Sequence, residues 1–208
     1  MPERKEGSGK QQGADRRKRR EKSMEKNVVR ADRKLMYEGS VIKVYQDKMQ
    51  FAGGNEENWD YIHHDGAAAV VPVLPDGRIL MVEQYRSALD RETLEIPAGK
   101  LDAPGEDPRL CAQRELEEET GYFCQEPKWL ITVRTMVAFS NEKVEVYVAE
   151  DLIPSRQCLD ENEFIHVSAY FLEELKEKIF RGEIQDSKTI AALLAYGEAY
   201  GKNRRTAN

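Results

Sequence analysis

From Lys34 onward the chain alternates apolar and polar residues over short runs. KLMYEG (34–39) and VIKVYQDKMQF (41–51), with Gly39 between them, predict two strands. GGNE at 53–56 predicts a turn, and NWDYIHH (58–64) a third strand. GAAAVVPVL (66–74) is apolar without interruption, the pattern of a strand buried on both faces. Pro75-Asp76-Gly77 is a turn signal, and RILMVEQYR (78–86) is expected to pair with the preceding run as a hairpin. TLEIPAG (93–99) predicts a short strand running into a loop. Strands are also expected around PKWLITVRT (127–135), KVEVYVAED (143–151) and HVSAYFL (166–172).

Three segments switch to a helical period. Asp107-Pro108 predicts an N-cap followed by proline at the first helical position, with the helix running to about Thr120 and Gly121 as its left-handed cap. LEELKEKIF (172–180) sets Leu172, Leu175 and Ile179 on one stripe, stopped by Gly182. Asp186 or Ser187 caps a last helix, KTIAALLAYGEAY. The layout is strand-dominated α+β, without internal repeats. It divides into a basic tail at 1–30, an N-terminal strand region at 31–65, and a domain at 66–208.

Charge sharpens that division. Residues 1–30 carry 11 Lys/Arg against 5 Asp/Glu, whereas the remainder carries 21 against 33. The tail, with Arg16-Arg17-Lys18-Arg19-Arg20 at its centre, has almost nothing apolar to bury and is expected to be disordered. Met24, followed by more ordinary sequence, is a candidate natural start. The acidic body repels nucleic-acid phosphates, so nucleic acid is not an expected partner. No apolar run reaches membrane-spanning length and the N-terminus lacks a signal-peptide core, so a cytoplasmic location is expected. Cys111, Cys124 and Cys158 form no C-x-x-C pair and read as reduced thiols rather than disulfide or zinc partners. His63 and His64, adjacent on a strand, point to opposite faces and read as structural.

RELEEETGY (114–122) is the stretch that local physics disfavours. Glu115, Glu118 and Glu119 share a helical face at the end where the backbone dipole is negative, and Glu117 points elsewhere. Arg114 offsets part of the repulsion through its i,i+4 partner Glu118. A hard divalent cation would remove the rest, since Mg²⁺ takes oxygen ligands and completes its shell from water and phosphate. A solvated acidic face is the alternative. The preceding strand and glycine loop, LEIPAGKLDAPGEDP, set a platform for a metal–phosphate ligand beside the carboxylates.

Gly99, Glu106, Arg114-Glu115-Leu116, Glu118-Glu119, Gly121 and Tyr122 resemble the Nudix box, G-x5-E-x7-R-E-U-x-E-E-x-G-U. One departure is that six residues, not five, separate Gly99 from Glu106. Over 34–205 the chain is similar to the ADP-ribose pyrophosphatase branch, through YEGSVIKV, VVPVLPDGRILMVEQYR, LEIPAGKLD, FSNEKVEVYVAEDL and DSKTIAALL. The resemblance implies a mixed β-sheet sandwiched between helices, with an N-terminal antiparallel strand region that supports a homodimer. It implies Mg²⁺-dependent hydrolysis of the pyrophosphate bond of ADP-ribose to AMP and ribose 5-phosphate, with Mn²⁺ as a substitute ion. Glu115, Glu119, Glu118 and the Ala98 carbonyl are the implied metal ligands, and Arg114 orients the carboxylates. Glu142 is the implied mobile catalytic carboxylate, Arg86 the diphosphate arginine, and Glu95 a contact to substrate or metal-bound water. Trp59 and Phe139 are candidates for stacking a nucleobase. Val137 stands where the branch usually carries proline. This opens two alternatives: another nucleoside diphosphate sugar or dinucleotide as substrate, and a non-enzymatic ADP-ribose-sensing domain.

Overall fold

The computed structural model describes residues 27–103, 105–159 and 161–204. The expectations for the basic tail and for Met24 lie outside the described residues. The chain divides after His63 into two compact units.

In the first unit, alternation produces three antiparallel strands: β1 (Val28–Glu38), β2 (Lys43–Phe51) and β3 (Glu56–His63), in that spatial order. β1 begins at Val28, ahead of the pattern change at Lys34, because its register with β2 continues to Val28 opposite Phe51. Asp47 on β2 is buried, and Arg33 donates to both of its carboxylate oxygens at 2.5 and 2.6 Å. The same guanidinium lies 3.7 Å above the Tyr61 ring, so a cation–π contact joins all three strands.

The second unit is organised by β4 (Ala67–Pro72). Its residues alternate between two cores. Ala69 and Val71 pack into one with Met81, Ile96, Val146, Leu175 and Leu193. Ala68 and Val70 pack into the other with Cys111, Ala112, Leu116 and Tyr147. A strand buried on both faces must be apolar at every position, which is why the sequence shows no alternation there.

The expected hairpin between 66–74 and 78–86 does not form. Only one bridge, Val73 to Ile79, joins them before the strands part. β4 instead lies between β7 (Ala98–Lys100) and β10 (Val144–Ala149), with which it pairs parallel, and β9 (Lys128–Val133) completes that mixed sheet. β5 (Ile79–Arg86) belongs to a second sheet, between β6 (Arg91–Glu95) and β12 (Ile165–Tyr170). Parting lets side chains of the two sheets meet in one core, which a flat hairpin would leave unfilled. The loop expected after TLEIPAG is partly strand: β7 closes the edge of β4. Two short strands with no sequence signal, β8 (Tyr122–Phe123) and β11 (Ile153–Pro154), also pair.

Helix α1 (Pro108–Thr120) covers one face of the mixed sheet through Cys111, Ala112 and Leu116. Helices α2 (Leu172–Phe180) and α3 (Ser187–Arg204) supply Leu175, Ala192, Leu193 and Tyr196 to the core on the other side. The unit is thus a mixed sheet between helices, the expected α+β architecture.

Both ends of α1 follow the sequence. The Asp107 side chain accepts from Arg109 N, and Gly121 takes φ 72°, donating its N–H to the Glu117 carbonyl. Three further donors reach that terminus from the segment 155–158. Cys158 N donates to the Glu118 carbonyl at 3.0 Å, and the Gln157 side chain to the Glu119 carbonyl at 2.7 Å. Ser155 Oγ donates to the Glu117 carboxylate at 2.5 Å. These bonds offset the negative end of the helix dipole, and Glu117, off the face of the other glutamates, makes an exposed bond to the capping segment. A Cβ on Gly121 would lie 3.0 Å from Gln157 N as well as in the left-handed region. Gly121→Ala should therefore lower stability by about 1–3 kcal/mol, read as a lower urea midpoint with an unchanged slope.

Candidate functional site

β6 runs into the tight segment Ile96-Pro97, and β7 follows at once, so Glu95, Ala98 and Gly99 lie along one stretch beside α1. Ala98 N donates to Glu119 Oε2 at 3.1 Å. At Gly99 a Cβ would lie 2.0 Å from Glu115 Oε1, so only glycine lets the α1 carboxylate seat against this backbone. Glu119 is buried and Glu115 nearly so, its side chain 12% exposed. Glu118 is more open.

Burial pushes the Glu115 carboxyl up to about 7 against the opposing charge of Arg114. Burial likewise pushes Glu119 up to about 8, with the charge of Glu115 adding to it. A third carboxylate, Glu163 in the loop before β12, raises both through its charge. Sequence reasoning missed Glu163, because an acidic loop (ENEF, 161–164) carries no sign that it folds back over a helix.

Arg114 holds the acidic face together. Its guanidinium reaches Glu115 Oε1 at 2.7 Å, Glu118 Oε2 at 3.1 Å, Asp102 at 3.3 Å and Glu106 at 3.8 Å. Its Nη2 also donates to the Lys100 carbonyl at 3.3 Å. One arginine therefore faces four carboxylates: two on α1 and two, Asp102 and Glu106, from the lengthened loop after Gly99. Glu106 closes that loop by accepting from Asp102 N at 2.6 Å.

Beyond Ala98 and Gly99 lies a cavity of about 640 Å³, also lined by Arg86, Thr93, Glu95, Thr135, Glu142 and Lys188. Arg86 donates to Glu95 twice, Nε to Oε1 at 2.8 Å and Nη2 to Oε2 at 2.7 Å. Glu95 Oε1 also accepts from Thr93 Oγ1 at 2.6 Å, and Oε2 from Lys188 Nζ at 2.5 Å. Burial alone would raise the Glu95 carboxyl, but Arg86 and Lys188 override it and hold it at about 2. All its lone pairs are engaged within the protein. That differs from the expected contact to substrate or metal-bound water, and the cause is Lys188, which reaches Glu95 from 93 residues away in sequence.

Glu142 accepts from the Thr135 hydroxyl, and its N–H donates to Ser140 Oγ at 3.1 Å. Asn141 beside it pins the segment, accepting from His64 N at 2.9 Å and donating to the His64 carbonyl at 3.0 Å. The carboxylate expected on a mobile loop therefore starts from a segment tied at both sides. Phe139 sits half-exposed in the turn before it and does not line the cavity. Trp59 lies on β3 in the first unit, where its indole donates to Glu57 at 3.0 Å and meets Phe51 edge-on. The structure thus brings Arg86, Glu95, Ala98 and Glu142 to one cavity, with Glu115 and Glu119 against the backbone at its edge.

Among the described residues no set of three His, Cys, Asp or Glu side chains is already arranged around an ion position. The donor chemistry nevertheless fits a hard divalent cation. Two desolvated carboxylates sit beside backbone that admits no side chain, and their mutual repulsion is what such an ion relieves.

A family model for the NUDIX domain matches residues 63–193. The chain is 38% identical over 174 residues to the methanol dehydrogenase activator of Bacillus methanolicus, covering 83% of this chain and 92% of that protein. It is 36% identical over 174 residues to the ADP-ribose pyrophosphatase of Bacillus subtilis, with the same coverage. A solved structure of an ADP compounds hydrolase superposes with a TM-score of 0.76 at 20% identity, covering 85% of this chain and 96% of that one.

The carboxylate pair sets a pH dependence. Both folded values lie above the ordinary 4.5, so the folded state binds these protons more tightly than the unfolded chain. Their contribution is fully present below about pH 4.5 and is lost as pH rises through about 7 to 8. In metal-free buffer, urea unfolding should show stability falling across that window, and Glu119→Gln should flatten the slope.

Proposed function

We propose that this chain, which belongs to the Nudix family of hydrolases, cleaves the pyrophosphate bond of ADP-ribose to give AMP and ribose 5-phosphate. The observation that carries the proposal is the seating of Glu115 and Glu119 against Ala98 and Gly99, at the edge of a cavity that also holds Arg86. Its volume, about 640 Å³, is within the range of small-molecule sites. A relative at 36% identity is named an ADP-ribose pyrophosphatase, which favours that substrate.

Glu115, Glu119 and the Ala98 carbonyl would hold Mg²⁺, or Mn²⁺ in its place, with Glu118 completing the site. Such an ion neutralises phosphate oxygens and lowers the pKa of bound water. Arg114 fixes the Glu115 and Glu118 carboxylates. Arg86 binds the diphosphate through the guanidinium nitrogen that Glu95 leaves over. In the reaction a water oxygen bonds to one phosphorus, and the bond from that phosphorus to the bridging oxygen breaks. The water proton passes to a carboxylate, for which Glu142 on the cavity wall is the proposed base. Glu163, whose charge reaches Glu115 and Glu119, is the second candidate.

Val137 favours a second reading, with another nucleoside diphosphate sugar or a dinucleotide as substrate. It sits 80% exposed in the turn before Glu142, where the branch's usual proline would stiffen the backbone. The first unit supports a homodimer: Leu35, Met36, Tyr37 and Val41 are exposed on its small sheet and want a partner surface. No helix among the described residues is long and apolar enough to cross a membrane.

A hydrolysis screen with Mg²⁺ across ADP-ribose, other nucleotide sugars and dinucleotides tests the reading. ADP-ribose should give AMP and ribose 5-phosphate at the highest kcat/KM. Comparable rates on several substrates would defeat a dedicated ADP-ribose enzyme, and binding without turnover would leave a sensor. Glu142→Gln should lower kcat by about 10²-fold or more with KM nearly unchanged. If Glu163→Gln shows that loss instead, the base is Glu163. Saturating Mg²⁺ should raise the Tm at pH 7.5, since it replaces the protons held by Glu115 and Glu119. An unchanged Tm would remove the metal explanation of the glutamate cluster.

A further inference from the structure

Lys188, in the first turn of α3, is the side chain at this cavity that neither the box nor the arginine explains. Its side chain is 13% exposed, and its Nζ donates to Glu95 Oε2 at 2.5 Å and to Asp186 Oδ2 at 3.0 Å. The turn that carries it is stitched down on both sides. Asp186 Oδ2 accepts from Thr189 N at 2.9 Å, and the fully buried Thr189 hydroxyl accepts from Ile96 N at 3.0 Å. The helix start is thereby locked to the residue that follows Glu95.

We propose that Lys188 is a positioning residue that acts through Glu95 on Arg86, and so sets the site's affinity for the diphosphate. Glu95 is 4% exposed and Arg86 40%, so charges alternate through Asp186, Lys188 and the buried Glu95 to Arg86 on the cavity wall. Lys188 and Thr93 each occupy one side of a Glu95 oxygen. The carboxylate then has one orientation left, edge-on to the guanidinium. That edge consumes Arg86 Nε and Nη2, so Nη1 is the nitrogen held outward for an anionic ligand. Without Lys188, Glu95 Oε2 loses its second donor, and the carboxylate can rotate with Arg86 following. Removing one partner of a buried hydrogen-bonded charge pair also leaves the other under-compensated, which adds to the disorder. Two of the three Lys188 ammonium donors go to carboxylates, Glu95 and Asp186.

The inference rests on the proposed diphosphate role of Arg86, and its test separates the two. Exchange of the Arg86 Nε–H proton, followed by NMR without ligand, should be slow in the wild type. It should be about tenfold faster in Lys188→Met and return toward wild type in Lys188→Arg, which keeps a donor to Glu95. In steady-state hydrolysis of ADP-ribose, Lys188→Met should raise KM about tenfold while kcat changes less than about threefold. In an Arg86→Lys background the same substitution should add almost nothing to KM, as coupled residues require. Unchanged Arg86 exchange in folded Lys188→Met overturns the proposal, as does a full additive KM penalty in the double variant. Should Lys188→Met not fold, Lys188→Gln is read by the same criteria. If no diphosphate is hydrolysed by the wild type, the hydrolase reading fails, while Arg86 exchange still decides the positioning role.

Discussion

The second unit depends on holding two carboxylates, Glu115 and Glu119, out of water at the wrong end of a helix. Taken alone, each step is unfavourable: anions at the negative pole, like charges on one face, and burial of both. The fold offsets these costs from several directions. Donors from residues 155–158 satisfy the helix-end carbonyls, Ala98 N bonds Glu119, and Arg114 gathers Glu115 with three neighbouring acids. Protonation absorbs what is left, since burial lifts the two carboxyls to about 7 and about 8. A hard cation bound there would relieve the repulsion that remains.

The backbone from Glu95 to Gly99 divides two charge systems with different tasks. On the α1 side, carboxylates outnumber the one arginine, which leaves anionic capacity for a cation. On the cavity side, Arg86 and Lys188 are paired with Glu95 and Asp186, which leaves Arg86 Nη1 for an anion. Glu95 at about 2 and Glu119 at about 8 both adjoin this stretch of backbone, yet their environments drive them in opposite directions. A metal-bound diphosphate would bring both charges the site lacks. Its two halves meet at Ala98 and Gly99, where Glu115 seats in the space a side chain at 99 would fill.

Much of this was legible along the chain. The caps of α1 could be read because Asp-Pro and Gly signals are local. The acidic cluster could be read because helical spacing alone puts Glu115, Glu118 and Glu119 on one face. β4 was recognisable as a doubly buried strand. Its partner was not, since Pro75-Asp76-Gly77 makes a turn whether or not the flanking strands stay paired. Sheet choice was settled by β10 and β12, whose register no local signal carries. The Glu117 bond to Ser155 was hidden for a similar reason: the two lie 38 residues apart.

By itself, then, the sequence determined the elements with short-range causes: strand and helix periods, caps, turns, and the face on which the glutamates gather. Tertiary structure alone decided how each charge is used. Glu95 is a buttress rather than an open ligand because Lys188 arrives from the start of α3. Glu119 holds its proton to about pH 8 because burial and the charge of Glu115 outweigh the bond from Ala98 N. Glu163 enters the field of the site because its loop turns back toward α1. The physical reason is common to all three. Desolvation and pairing depend on what surrounds a group in space, and contacts across 40 to 90 residues leave no trace in local spacing.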